Sequence, residues 1–92
     1  MSLIMNVTKN NIRAGLTQYA CANGWTLSVS TNPMTYSDGK TTCEIAIFDP
    51  QDNYYTGDVF AYVDINKVDV VLPFLADGHA DIVADILNDK DQ

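Results

Sequence analysis

The only histidine of the chain, His79, stands in Asp77-Gly78-His79-Ala80-Asp81, with a further carboxylate at Asp85. An imidazole among carboxylates could hold a divalent metal or exchange protons near neutral pH. The spacing opposes the metal. On a helix, residues two apart point nearly opposite ways, so His79 and Asp81 do not share an ion. No second histidine or nearby cysteine completes a transition-metal set.

Cys21 and Cys43 are the candidate nucleophiles, and a thiol needs an adjacent base such as His79 to activate it. Cys21 sits among apolar residues, and Cys43 alternates with Ile45 and Ile47. That context describes two buried structural thiols in a reducing, cytoplasmic compartment, with one disulfide between them as the alternative. Asp49-Pro50-Gln51-Asp52-Asn53 has the acids of a calcium loop. Its sixth and twelfth positions are Tyr54 and Phe60, where such a loop needs glycine and a carboxylate. No G-x-S-x-G, P-loop or dinucleotide fingerprint occurs. These residues predict no catalytic centre, no metal and no cofactor; a small enzyme centred on His79 is the weakest reading.

Asp77, Asp81, Asp85 and Asp89 recur at a spacing of four. On a helix this makes a carboxylate ridge with one acid about every 6 Å. Like charges at that spacing destabilise a helix slightly. The ridge is therefore either a solvated face or a surface that grips a basic partner or imitates a polyanion. The remaining charge points the same way. Of 92 residues, 12 are acidic and 5 basic, for a net charge of −7. Residues 1–43 hold three of the cations and only one acid, so the acidity belongs to the second half. Such a chain is a poor direct ligand for nucleic acid or an anionic membrane, because phosphate affinity comes from Lys and Arg. No apolar run is long enough to cross a membrane.

The elements that must position these groups follow from period and turn signals. One small acidic α+β domain is expected over 1–92, with 1–5 either a disordered leader or residues added for expression ahead of a natural start at Met5. Thr8 reads as an N-cap with Val7 and Ile12 as a hydrophobic staple, and Ile12, Leu16, Tyr19 and Ala20 keep helical spacing. Asn23-Gly24 then ends a helix over about 9–22. Trp25, Leu27 and Val29 alternate with Thr26, Ser28 and Ser30 as a half-buried strand. Asp38-Gly39 signals a hairpin into a strand from about Thr41 to Phe48. The turn at 49–53, with Pro50 in its favoured second position, leads to a strand over about Tyr54–Val63, with Gly57 at a bulge. Pro73 would break a helix begun at 65, so a short helix capped by Asp69 is expected, ending near Asp77-Gly78. A final helix over about 79–89 turns Ile82, Val83, Ile86 and Leu87 to the core.

The expected fold is thus α+β: an N-terminal helix, a three-stranded antiparallel β-meander and one or two C-terminal helices. Its core gathers Leu16, Trp25, Leu27, Ile45, Ile47, Val59, Val63, Ile82 and Ile86. Strict alternation puts Phe48, Tyr54, Phe60 and Tyr62 on the second sheet face, too apolar to be simply wet. That face is expected to be covered by a terminal helix or by another chain. The functional expectation is non-enzymatic protein binding, as an inhibitor or adaptor for a basic protein partner engaged through Asp77, Asp81, Asp85 and Asp89. The alternative is a self-associating accessory protein, a homodimer paired through the aromatic face.

Overall fold

A computed structural model describes residues 7–32, 40–55, 57 and 59–89. Five strands, β1 (Val7–Arg13), β2 (Leu16–Cys21), β3 (Thr26–Ser30), β4 (Thr42–Phe48) and β5 (Phe60–Asp64), precede two helices, α1 (Lys67–Ala76) and α2 (Ala80–Asn88). The strands form one antiparallel sheet in sequence order, β1-β2-β3-β4-β5. The helices pack on one of its faces, chiefly against β3 and β5.

The class is α+β, but the N-terminal helix and the three-stranded meander are both corrected. Residues 9–22 are not a helix. They supply most of the β1–β2 hairpin, which extends the meander to five strands. Two glycines decide this. Gly15 has φ +80°, which a right-handed helix cannot contain, and a Cβ there would lie 3.3 Å from the Asn32 backbone nitrogen. Gly24 has φ +98°, and Asn23-Gly24 is a β2–β3 hairpin turn, not a helix stop. Thr8, Asn10, Asn11 and Thr17 are poor helix formers, and pairing decides in favour of strand. The true period is two: Tyr19 pairs Leu27 on the helix-covered face, while Gln18 pairs Ser28 on the other. Alternation is faint in the sequence because β1 and β2 project beyond the helices, and both faces stay partly exposed.

The later elements lie nearer to expectation. β3 and β4 begin and end within a residue or two of their predicted bounds. The 49–53 segment is a turn closed by the Asp52 N–H on the Asp49 carbonyl, at 2.8 Å. The Asp49 carboxylate also accepts the Gln51 and Asn53 N–H groups. Asp38-Gly39 and residues 1–5 fall outside the described residues. β5 is shorter than predicted, because Tyr54 joins the sheet only through a single bridge to Phe48.

β5 also carries the main surprise. Cys43 pairs Val63 and Ile45 pairs Phe60, so one residue of β4, Glu44, faces two of β5, Ala61 and Tyr62. This bulge has Tyr62 in the left-handed region at φ +51°. It turns Phe60 and Val63 to the same side, and both are buried in the core. Uninterrupted alternation would separate them.

α1 starts at Lys67 and runs through Pro73, contrary to the expected start at Asp69. Pro73 removes one N–H from the helix ladder, but its ring is exposed. Four other residues of the helix, Val68, Val71, Leu72 and Leu75, are buried against the sheet and α2. Burying each contributes about 1.5–3 kcal/mol, together more than the roughly 3 kcal/mol that an interior proline costs.

The core is built on Leu27, Val29, Cys43, Ile45 and Ile47 from the sheet, with Val83 and Leu87 from α2. Of the expected core, Trp25 and Ile86 pack at its border, and Leu16 and Val59 are half-buried. Ile82 faces outward at 36% exposure, replaced inside by Ala80. The contrast is measurable. Ile47→Ala, at a side chain 1% exposed, should lower stability by about 2–5 kcal/mol. Ile82→Ala should lower it by no more than about 0.5 kcal/mol. Denaturant midpoints of the two variants in parallel check both the sheet face and the rotation of α2.

Candidate functional site

The turn between the helices positions the acidic segment. Gly78, at φ +83°, follows the end of α1, and its N–H donates to the Leu75 carbonyl at 2.9 Å. The His79 N–H donates to Phe74, also at 2.9 Å. This is a Schellman ending, which glycine adopts without the Cβ clash. The Asn23 side-chain amide, from the β2–β3 turn, donates to the Leu75 and Ala76 carbonyls at 3.0 and 2.9 Å. Its oxygen accepts the Trp25 N–H. The end of α2 is held in a similar way. Lys67, the first residue of α1, donates from Nζ to the Ile86 carbonyl at 2.9 Å and to that of Asp89. A cation there also complements the helix dipole.

All four acids of the predicted ridge are exposed, but only Asp81 and Asp85 lie within α2. Asp77 is the C-cap of α1, and Asp89 the extended residue that ends α2. The outer surface of the helical layer also bears apolar groups that the sequence reading did not select. Val70 is 51% exposed and Phe74 37%, one turn apart on α1, beside the i, i+4 row of Asp69, Pro73 and Asp77. On α2, Ile82 and half-buried Ile86 form a row beside Asp81 and Asp85. Each helix therefore presents an apolar row next to an acidic one. A signal was present: Val68 to Leu75 is apolar at every position but Asp69, more than one buried face requires.

The four aromatic residues assigned to one sheet face separate. Phe48 and Tyr54 stack with ring centroids 4.9 Å apart, and Tyr54 is 51% exposed. Phe60 is in the core on the other side of the sheet, carried there by the bulge. Tyr62 lines a cleft of about 200 Å³ with Asp64, Lys67 and Asp89. A second aromatic pair, Trp25 and Tyr55, meets edge to face at 5.4 Å. The open sheet face is otherwise dominated by small polar residues such as Thr26, Ser28 and Ser30.

His79 is exposed at the interhelical turn, whereas Cys21 and Cys43 are free thiols buried in the core. The histidine and the thiols therefore form no nucleophile–base pair. Among the described residues, no three His, Cys, Asp or Glu side chains are gathered closely enough to hold a metal ion. Nor is any helix among them long and apolar enough to cross a membrane. No family model, curated protein or solved structure matches this chain.

Burial sets the reactivity of the thiols. It pushes Cys43 up from 9.0 to about 11, with the Asp64 carboxylate adding to the effect. Burial alone raises Cys21. Because the folded state holds its thiol protons more tightly, this stabilisation is complete below pH 9 and is lost as pH rises towards 11. The folded chain at pH 8 should therefore resist alkylation at both cysteines, while the denatured chain takes two labels, counted by intact mass. Rapid labelling of native protein would contradict the burial.

Proposed function

We propose that this domain is a non-enzymatic docking module whose helical layer receives a basic, amphipathic segment of another protein, as an inhibitor or adaptor. One observation carries the reading: exposed apolar and acidic rows run side by side on both helices, Val70 and Phe74 beside Asp69 and Asp77, Ile82 beside Asp81 and Asp85. A solvated helix face needs no exposed Phe and Val, and a purely electrostatic surface needs none either. Apolar contact supplies affinity and slows dissociation, while rim carboxylates attract cations and act on the association rate. The excess of acid in residues 44–92 supports the same partner chemistry at longer range.

Self-association through the open sheet face is the second reading, supported by exposed Tyr54 resting on half-buried Phe48. Tyr54→Glu should then shift the mass in solution towards monomer. A wild-type chain that sediments as a monomer at every concentration removes that reading.

The leading proposal is tested with a helical peptide bearing leucines on one face and lysines along its border. Asp81→Asn/Asp85→Asn should slow association and flatten its salt dependence, leaving dissociation nearly unchanged. Phe74→Ala should speed dissociation and leave association nearly unchanged. If Phe74→Ala has no effect on either rate, attraction is charge alone and the docking surface is not there.

A further inference from the structure

We propose that the outer edge of β1 is a separate docking site, one that takes an extended acidic segment of another protein as a sixth strand. It lies outside the helical layer, carries the opposite charge and does not depend on the function proposed above.

The ladder shows which backbone groups are available. The Cys21 N–H donates to Trp25 and the Thr31 N–H to Gly15, both at 2.8 Å, one beyond each end of the β2–β3 register. Residues 15, 17, 19 and 21 therefore aim their backbone groups at β3, and Leu16, Gln18 and Ala20 aim theirs at β1. The partners of Gln18 and Ala20 are Asn10 and Thr8. By the same alternation, the N–H and C=O groups of Val7, Lys9 and Asn11 point away from the sheet. β1 is an edge strand, and no described residue bonds to these outward groups.

Edge strands are usually blunted by shortness, bulges or cover. β5, the other edge, has five residues, a bulge and further contacts at Ala61 and Tyr62. β1 has seven residues and pairs regularly from Val7 to Asn11; its only irregularity is next to the turn, between Asn11 and Arg13. A flat stretch with three outward donors and three outward acceptors accepts a strand by main-chain pairing.

Charge and shape select the occupant. Residues 7–32 hold Lys9 and Arg13 and no acid, within a chain of net charge −7. A second copy is disfavoured there, because antiparallel β1–β1 pairing would gather two Lys9 and two Arg13 in one seam. Carboxylates of a foreign strand would meet those cations instead. Lys9 pairs Tyr19 on the helix side of the sheet, with its ammonium 6.0 Å from the ring centroid. It also borders a groove of about 410 Å³ between the projecting hairpin and α1, lined by Tyr19, Val29, Val68 and Asp69 among others. Helix-side side chains of an added strand would lie at the mouth of this groove.

The test uses the full chain, isotopically labelled, with two nine-residue peptides: valine alternating with glutamate, and valine alternating with lysine. The acidic peptide should slow amide exchange severalfold at Val7, Lys9 and Asn11 and leave Thr8 and Asn10, already in the ladder, nearly unchanged. The basic peptide should leave exchange at all five positions unchanged. Asn11→Pro removes one outward donor without touching the β1–β2 ladder, and Lys9→Glu reverses the charge. Both should lose most of the protection while melting within a few degrees of the parent. Absence of protection with the acidic peptide overturns the proposal. So does equal protection by the basic peptide, and so does protection that grows with protein concentration alone, which would make a second copy the occupant.

Discussion

Burial of one face of the sheet, and only one, is the constraint on which this fold depends. Leu27, Cys43, Ile45 and Ile47 are almost completely removed from solvent, while the residues paired across the opposite face are mostly Thr, Ser, Gln and Ala. A sheet with one apolar side recruits cover on that side alone, and the amphipathic α2 and strongly apolar α1 provide it. Two short helices cover β3 to β5 most closely and leave β1 and β2 projecting. The bulge in β5 serves the same end. It places Phe60 on the covered side with Val63, at the cost of a left-handed tyrosine.

Covering a sheet with short helices creates a second demand. Each helix ends with carbonyls that lack partners within the helix. Here a residue from another element meets the demand each time: Asn23 from the β2–β3 turn for α1, Lys67 from the start of α1 for α2. These bonds join the hairpin to the helical layer and the two helices to each other. A net hydrogen bond contributes about 1 kcal/mol, and since the Leu75 and Ile86 carbonyls also accept backbone N–H groups, the ties act mainly by fixing one element against another.

The charge distribution has a spatial counterpart. Acids gather on the helical layer and its turn, and the β1–β2 hairpin holds two cations and no acid. The two proposed docking surfaces therefore differ in both charge and geometry, a helix face against a strand edge. An adaptor that brings together a basic helical segment and an acidic extended one would need that pairing. The two surfaces share only Asp69 at their border, and each is tested with variants of its own.

What the sequence determined by itself was whatever rests on local chemistry. Trp25 to Ser30 and Thr42 to Phe48 read as strands because one covered face imposes a clean alternation on them. Asp49-Pro50 and Asp77-Gly78 read as turns because proline and glycine restrict the backbone wherever they occur. The exposed positions of Asp81 and Asp85 followed from four-residue spacing beside Val83 and Leu87, whereas Asp77 and Asp89 are exposed at the ends of α1 and α2. What the tertiary structure alone decided was whatever depends on partners distant in the chain. Residues 9–22 carry a weak helical spacing that pairing with β3 overrides, and their own alternation is faint because both faces of the hairpin stay partly exposed over most of its length. Asn23-Gly24 suits both a helix stop and a hairpin, and only the strand on its far side selects between them. The face that Phe60 occupies depends on one extra residue opposite Glu44, a register choice made by the packing of Phe60 and Val63 together. The apolar row on α1 that now forms half of the candidate surface was hidden for the same reason: which side of an all-apolar helix meets the sheet is settled by the sheet.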